Sequence, residues 1–362
     1  MKVCALAVRT LLPALFAAMA ASAAAAPPVI YAATDWEVVR PLIADFEQLH
    51  PQIKVDYRDM NSSDLYARFL REAGTESSAD VVWSSAMDLQ MKLVNDGHAQ
   101  PYKSAQTEAL PAWAVWKNEA YGTTYEPVGL IYNRQLLRAD EVPQTHAALV
   151  RLLTQQPERF RHRLTAYDPQ RSGLGYLLHS QDLEANPVLF WSLVATLGEA
   201  GLKTEPTTSA MIDRIVNGQA LIGYNVLSSY ALFRAAKDER LGIVLPSDYT
   251  LVMSRIAFIS RYAPHLEEAR AWMDYLLSVR GQSALNRIGL QSVRGDIAGE
   301  GAPAEMRKRL GRALRPIVLG TGLLTYLDQM KRQLFLDRWE GALHPSGPHK
   351  PARQVPGHKA VR

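Results

Sequence analysis

Cysteine is almost absent from this chain of 362 residues, because the single one, Cys4, lies near the N-terminus. A lone thiol forms no intramolecular disulfide, so packing and hydrogen bonds must hold the fold together. Cys4 also lies far upstream of the small residues around Ala24 and Ala26, which are typical of a cleavage site. We therefore expect the processed protein to have neither a thiol nor a lipid-attachment cysteine.

Long apolar runs are scarce as well. The extended run at residues 11–20 follows the basic Lys2 and Arg9, and a string of small residues leads from it to Pro27. This order predicts a signal peptide over residues 1–26, and the run is too short for a comfortable membrane span. We expect a soluble protein that is exported to the periplasm of a bacterium with an outer membrane.

Positive charge is concentrated at the ends, although the formal net charge is +4. Lys2 and Arg9 lie in the predicted signal peptide, and four more basic residues lie in residues 345–362, which contain no acid. Taking these six charges from +4 leaves −2 for the body, residues 27–344. We predict a disordered basic tail over residues 345–362 and no nucleic-acid partner.

Common catalytic patterns are also missing. Ser172 would need a glycine two residues earlier to form the G-x-S-x-G of an esterase, and that residue is Gln170. Gly173 and Gly175 begin a G-x-G-x-x-G dinucleotide pattern that Leu178 interrupts, and no H-E-x-x-H sequence occurs. We therefore expect that the protein is not an enzyme and that it has no catalytic residue, no cofactor and no resident metal. An exported hydrolase stays an alternative.

Apolar strands alternate with amphipathic helices through the first part of the body. Strand-like runs near residues 28–34, 53–59 and 79–85 are separated by helical patterns, the first with Val39, Leu42 and Phe46 on one face. This alternation predicts an α/β fold with a parallel sheet that is covered by helices on both faces.

The length of the body indicates two domains. We place a first lobe at residues 27–124, a second lobe at residues 125–246 and a return to the first lobe at residues 247–300, with crossings near Tyr125 and Ser247. A C-terminal helical extension follows at residues 301–344. Its apolar stripe predicts packing onto the body, and docking onto a partner is the alternative. The stripe consists of Leu323, Leu324, Leu327, Met330 and Leu334.

Polar residues follow the first and third predicted strands. In α/β sheets the ligand binds beyond the carboxyl ends of the strands, so these residues are candidates for a binding site. Capping of the next helix is the alternative role for Asp35 and Ser85. The candidates are Thr34, Asp35 and Trp36 after the first strand, and Ser84, Ser85 and Asp88 after the third.

The segment AYDPQRSGLGYLLHS, residues 166–180, combines a glycine-rich turn with an apolar helical pattern. Backbone N–H groups and the helix dipole at such a junction favour an anion, and an arginine beside it can bind a phosphate or carboxylate. We therefore add Asp168, Arg171, Ser172, Gly173 and Leu174 to the candidate site.

Several blocks resemble, in order, those of bacterial solute-binding proteins. The blocks include VIYAATDWEVVRPLIADFEQLHPQIKVDYRDM, SSADVVWSSAMDLQMKLVNDG, EPVGLIYNRQLL, SGLGY and NGQALIGYN. The family comprises periplasmic receptors of ABC importers, in the group with ferric-iron-binding, sugar-phosphate-binding and phosphoglycerate-binding members. The resemblance implies a two-lobed periplasmic binding protein fold of type II. Each lobe would have a mostly parallel sheet flanked by helices, a hinge would join the lobes, and the partners would be a small ligand and an inner-membrane ABC permease.

The resemblance leaves the ligand open between an anionic, phosphorylated organic solute and a ferric ion. Ferric-binding members carry two adjacent tyrosines where this chain has Ser229 and Tyr230, which favours the phosphorylated solute. We place Asn225, Ser228 and Tyr230, near the matching strand end, in the candidate site, together with Tyr125 in the first crossing. A ligand-sensing receptor that contacts the periplasmic domain of a sensor kinase is a further alternative.

Overall fold

The computed structural model describes residues 27–298 and 303–344. The predicted signal peptide and basic tail lie outside this part of the chain. The first stretch contains β1 (Val29–Ala32), α1 (Trp36–Leu49), β2 (Asp56–Asp59), α2 (Ser62–Glu72), β3 (Val81–Ser84), α3 (Met87–Asn95), α4 (Ala105–Glu108), β4 (Val115–Trp116) and β5 (Ala120–Gly122).

The middle stretch begins with β6 (Glu126–Asn133), α5 (His146–Gln155), α6 (Pro157–Phe160), β7 (Leu164–Tyr167), α7 (Gly173–Ala185), α8 (Pro187–Glu199) and β8 (Lys203–Glu205). It continues with α9 (Thr208–Val216), β9 (Ile222–Leu227), α10 (Ser228–Ala235), β10 (Leu241–Val244) and β11 (Thr250–Met253). The remaining elements are β12 (Ile256–Ile259), α11 (Leu266–Leu277), α12 (Val279–Arg287), α13 (Pro303–Leu310), β13 (Leu314–Pro316) and α14 (Gln329–Leu343).

Two sheets organise the molecule, and each with its helices forms one lobe. The first lobe has the strand order β2-β1-β3-β12-β5-β4. The second lobe has the order β13-β11-β6-β9-β7-β8, with β10 also paired to β6. This confirms the predicted α/β architecture with two sheets. Within residues 27–298 and 303–344, none of the helices combines the length and apolarity that a membrane crossing requires.

Both sheets are mixed, which corrects the expectation of mostly parallel sheets. Strands β1, β2 and β3 are parallel because a helix separates each from the next, and β7 is parallel to β8 and β9. The strands next to the crossings pair antiparallel: β12 with β3 and β5, and β6 with β9, β10 and β11. A strand that enters from the other lobe needs no crossover helix, so it is free to run in either direction.

The chain passes between the lobes at residues 123–125 and again at residues 254–255. Strand β11 still pairs with β6 in the second sheet, at Val252 and Pro127. The chain therefore reaches the first sheet only at β12, later than the expected return near Ser247. At the crossings, the Thr123 amide donates to the Arg255 carbonyl at 2.8 Å, and the Arg255 amide donates to Thr124 Oγ1 at 2.8 Å. These bonds tie the two segments side by side.

The C-terminal extension packs onto the second lobe through β13 and α14, and its 3₁₀ segment, Thr321–Leu327, packs against α3 of the first lobe. Strand β13 extends the second sheet beside β11, and α14 lies against α8. Gly198 allows the close approach of these helices, because a Cβ there would lie 2.4 Å from the Ala342 carbonyl oxygen. Phe335 and Trp339 are buried with Tyr176 and Phe190 in one aromatic cluster.

The predicted apolar stripe is only partly buried. Leu323 is 5% exposed, whereas Met330 and Leu334 are 73% and 63% exposed. The expectation assumed one continuous helix, but a 3₁₀ segment, Thr321–Leu327, precedes α14 and changes the angular positions of the residues. The buried face of α14 consequently carries Phe335 and Trp339 instead.

Replacement of Trp339 by alanine should lower the free energy of unfolding by about 3–5 kcal/mol, because a buried aromatic side chain leaves a cavity. Met330→Ala, on the same helix but exposed, should change it by less than about 0.5 kcal/mol. Urea unfolding of both variants measures the difference. Equal stabilities would contradict the packing of the extension.

Candidate functional site

A cavity of about 240 Å³ lies between the lobes, at the carboxyl ends of the parallel strands of both sheets. The segments after β1, β2 and β3 line it from the first lobe, and those after β7, β8 and β9 line it from the second. Arg255, in the second crossing, completes the wall. The other polar residues of the lining are Thr34, Asp35, Asp59, Asn61, Ser62, Ser85, Tyr167, Ser172, Thr207, Thr208, Ser209 and Tyr230.

Hydrogen bonds join the lobes around this cavity. The Leu174 amide donates to Ser62 Oγ at 3.2 Å, and Ser209 Oγ donates to Asp35 Oδ2 at 2.7 Å. Asn61 Nδ2 also donates to the Pro206 carbonyl at 3.3 Å. The lobes are thus in contact at several points, and a ligand in the cavity would contact both of them.

Two helices of the second lobe begin at the cavity with hydroxyl caps. Ser172 Oγ accepts the Gly175 amide of α7 at 3.0 Å, and Thr207 Oγ1 accepts the Ala210 amide of α9 at 3.2 Å. A hydroxyl that accepts in this way keeps its own hydrogen for donation. First-turn amides and the helix dipoles add partial positive charge to this end of the cavity.

The first lobe presents two carboxylates, from Asp35 and Asp59. Asp35 occupies the N-cap position of α1 but makes no side-chain capping bond. Its carboxylate instead accepts from Ser209 across the cleft, and its backbone amide donates to Tyr230 Oη at 3.1 Å. Asp59 Oδ2 accepts the Trp36 amide at 2.9 Å. The cavity therefore has donors on one side and carboxylates on the other.

Arg255 is a buried guanidinium that joins the crossings to the cavity wall. Its Nε lies 2.8 Å from Glu126 Oε1, and both side chains are fully buried. Nη1 donates to Thr34 Oγ1 at 2.6 Å and to the Ala33 carbonyl at 3.1 Å. Burial lowers the pKa of Arg255, but the Glu126 carboxylate more than offsets this, so the pKa stays above its ordinary value. The guanidinium is charged at any physiological pH.

Tyr167 and Tyr230 bring two phenol groups to the lining. Tyr167 Oη lies 2.5 Å from Thr208 Oγ1, and the Arg255 guanidinium lies 5.5 Å from the ring centre of Tyr230. Burial raises the pKa of both phenols above the ordinary value, so both are neutral. In the described part of the chain, no group of three or more His, Cys, Asp or Glu side chains is placed to hold a metal ion.

Six of the residues proposed from the sequence line the cavity: Thr34, Asp35, Ser85, Ser172, Leu174 and Tyr230. Gly173 adjoins it but packs against the first lobe, where a Cβ would lie 2.8 Å from Leu89 Cδ1. Asp168 accepts the Gln170 and Arg171 amides and so shapes the turn before α7, while Arg171 is exposed.

The remaining candidates lie away from the cavity, which corrects their expected placement. Trp36 is 40% exposed, and Ser84 Oγ accepts the Ala86 amide. Tyr125 packs with Val252 and Met306, and Asn225 Nδ2 donates to buried Asp182. Ser228 lines a different cavity, and Asp88 is buried near Arg332 of the extension. Each lies in or directly beside a strand or helix that ends near the cleft, but its side chain does not line the cavity.

Sequence reasoning missed several lining residues. Asp59 ends β2, Asn61 comes two residues later and Ser62 begins α2, and the strand-end argument used for β1 and β3 applies to them equally. Thr207 caps α9 as Ser172 caps α7, and Thr208 and Ser209 begin that helix, so the same capping signal was present. Arg255 carried a different signal, a lone cation between two apolar strands.

The model of the bacterial extracellular solute-binding protein family matches residues 41–298. A crystal structure of the substrate-binding protein of an ABC transporter from Agrobacterium tumefaciens is 38% identical. The similarity covers 89% of this chain and 96% of that one, with a TM-score of 0.85. The chain belongs to this solute-binding family. It is thus a solute-binding protein of the ABC transporter type, a family of binding proteins rather than enzymes.

More distant structures share the fold. Iron-bound HitA from Pseudomonas aeruginosa is 16% identical over 87% of this chain and 99% of that one, with a TM-score of 0.68. AfuA from Actinobacillus pleuropneumoniae, with exogenous fructose-6-phosphate bound, is 17% identical over 88% of this chain and 98% of that one, with a TM-score of 0.68. A search of curated proteins found no match.

Arg255→Met should lower the free energy of unfolding by about 3–5 kcal/mol, because it leaves the Glu126 carboxylate buried without its partner. Arg255→Met combined with Glu126→Gln removes both charges and should recover most of this loss. Denaturant unfolding of the two variants tests the pair.

Arg161→Met provides the control, because its partner Glu158 and Arg161 itself are exposed, and it should cost less than about 1 kcal/mol. If the double variant were no more stable than Arg255→Met, an unpaired Glu126 charge would not be the cause of the loss.

Asp88 should make stability pH-dependent. Burial raises its pKa to about 7, against the opposing effects of the Leu89 amide bond and Arg332. The folded state therefore binds the proton more tightly than the unfolded state, so stability falls as pH rises from about 4 to 7. Asp88→Asn has no carboxyl group to ionise at this position. Its free energy of unfolding, relative to that of the wild type, should therefore rise by on the order of 3 kcal/mol across that window. Urea unfolding of wild type and Asp88→Asn at several pH values measures the effect, and parallel profiles of the two proteins would contradict the role of Asp88.

Proposed function

We propose that the protein captures an anionic, phosphorylated small organic solute between its lobes and delivers it to an inner-membrane ABC permease. The observation that carries this proposal is the opposition of two kinds of group across one cavity. The capped N-termini of α7 and α9 lie on the second lobe, and the Asp35 and Asp59 carboxylates lie on the first.

The second lobe would hold the phosphate. The Ser172 and Thr207 hydroxyls accept amides from the first turns of α7 and α9 and have hydrogens to donate. A helix start of this kind is a common site for a phosphate. Two helix dipoles aimed at one place favour a negatively charged group. The anion-binding role expected for Ser172 is thereby extended to a second, similar helix start.

The first lobe would hold the hydroxylated part of the solute. Asp35 and Asp59 accept hydrogen bonds and repel a second anionic group, so a ligand with one phosphate and several hydroxyls suits both ends. A volume of about 240 Å³ limits the ligand to a small molecule. The fructose-6-phosphate bound to AfuA is a ligand of this class in a protein of the same fold.

A ferric ion is the second candidate, because Tyr167 supplies a second phenol beside Tyr230. Two features of the lining oppose it. Burial raises the pKa of both phenols, so their deprotonation costs free energy, and the Arg255 cation beside Tyr230 repels a metal ion. We therefore favour the phosphate ester.

The location that we propose is the periplasm, after removal of residues 1–26. A contact with a sensor kinase would be secondary to transport. This contact has less support than it had from the sequence, because the C-terminal extension, which could have docked onto the kinase, packs onto the body of the protein.

A thermal-shift screen tests the ligand class. We expect fructose-6-phosphate, glycerol phosphate or a phosphoglycerate to raise the melting temperature, since a ligand that binds only the folded state at about 100 times its Kd adds roughly 2.7 kcal/mol. Fructose, inorganic phosphate and dicarboxylates should give smaller shifts. A shift with ferric citrate alone would overturn the proposal in favour of iron.

Ser172→Ala should weaken binding of the best phosphate ester by about 1 kcal/mol or more, roughly fivefold, because a donor to the phosphate is lost. Ser278→Ala is a matched control, since Ser278 caps α12 in the same way but lies outside the cavity lining. Titration calorimetry compares the two affinities. Equal affinities in both variants would remove Ser172 from the site.

A further inference from the structure

A second and larger cavity, of about 890 Å³, lies beside the first crossing and under α13. It is built from β6, α10, β10 and α13, and it shares no lining residue with the cleft. Its apolar wall consists of Pro127, Leu232, Ala235, Ile243, Leu245 and Met306. Its volume falls within the range of about 300–1,000 Å³ that is usual for small-molecule pockets.

One face of α10 forms part of this wall. Ser228, Leu232 and Ala235 lie on one side of the helix, at the spacing of one turn. Tyr230 lies on the opposite side and lines the cleft. The same short helix thus separates the two cavities.

Two buried polar atoms of the wall lack a partner within the described residues. They are Ser228 Oγ and Gln291 Oε1, in side chains that are 2% and 7% exposed. Both residues line the cavity. Burial of an unpaired polar atom is unfavourable, so an atom of this kind at a cavity wall indicates that a ligand atom can bind there.

The rim of the cavity is basic. Arg134, Lys308 and Arg309 line it and are exposed, while Glu305 is the one acidic residue of the lining. None of these three cations forms an ion pair with the residues that the structure describes. Apolar walls with a cationic rim are complementary to a molecule with an apolar body and an anionic head.

From this combination we infer a second ligand site, which takes a small amphipathic anion with an alkyl or aryl body and a carboxylate or phosphate head. The apolar wall holds the body, and Lys308, Arg309 and Arg134 hold the head. Ser228 Oγ and Gln291 Oε1 bond a polar group on the body. This site does not depend on the ligand proposed for the cleft.

Titration calorimetry of the protein with octanoate, octyl phosphate, octanol and inorganic phosphate tests the inference. We expect one saturable site for octanoate or octyl phosphate, with octanol about tenfold weaker because it lacks the charge. The tighter of the two anions identifies the preferred head. Inorganic phosphate, which has no apolar body, should not compete. Absence of binding by both amphipathic anions would overturn the proposal.

Variants locate the binding. Ala235→Trp fills the cavity and should abolish octanoate binding, whereas Ala236→Trp, at the next and exposed position of the same chain segment, should preserve it. Lys308→Glu with Arg309→Glu changes only exposed side chains and should weaken the anions about tenfold without affecting octanol. Binding that survives Ala235→Trp, or that ignores the charge reversal, would show that the site is elsewhere or is not selective for anions.

Discussion

The buried pair of Arg255 and Glu126 holds together the place where the lobes and the cavity meet. Glu126 begins the central strand of the second sheet, and Arg255 lies in the segment that leads back to the first. Thr124 and Ser229 also donate to the Glu126 carboxylate, so this one acid organises both crossings and the start of α10. A buried pair of this kind adds little net stability over an apolar one, but neither charge can be left alone. The geometry of the pair therefore determines the position of Arg255 in the wall of the cleft.

The direction of the strands decides which polar groups each lobe brings to the cleft. Parallel strands end together, so the two sheets present their loops and helix starts to each other across a narrow gap. The second lobe supplies helix starts with hydroxyls, whereas the first supplies Asp35 and Asp59. A solute that satisfies only one side leaves the other unpaired, which favours bifunctional molecules over simple anions.

Much of the architecture could be predicted from the sequence, since repeated strand and helix patterns are local signals. The pairing direction of β6, β11 and β12 could not, because it depends on how the chain returns between lobes. In the site, Asp35 was found by its position after a strand and Ser172 by its position at the start of a helix. Asn225 and Asp88 have the same signal but point away, and Arg255 acquires its role only through Glu126, far from it in the sequence. Side-chain direction is a tertiary property.

The last strand of the second sheet comes from the far end of the chain. Leu251 in β11 pairs with Arg315 in β13, and the aromatic cluster under α14 needs Trp339. A part of the first lobe, with β12, α11 and α12, lies between these partners and the rest of the second lobe in the sequence. The second lobe is therefore completed only when nearly the whole polypeptide is present, and its pairing of distant residues slows folding. An incomplete chain that lacks β13 and Trp339 can therefore form neither the outer strand of this sheet nor the aromatic cluster.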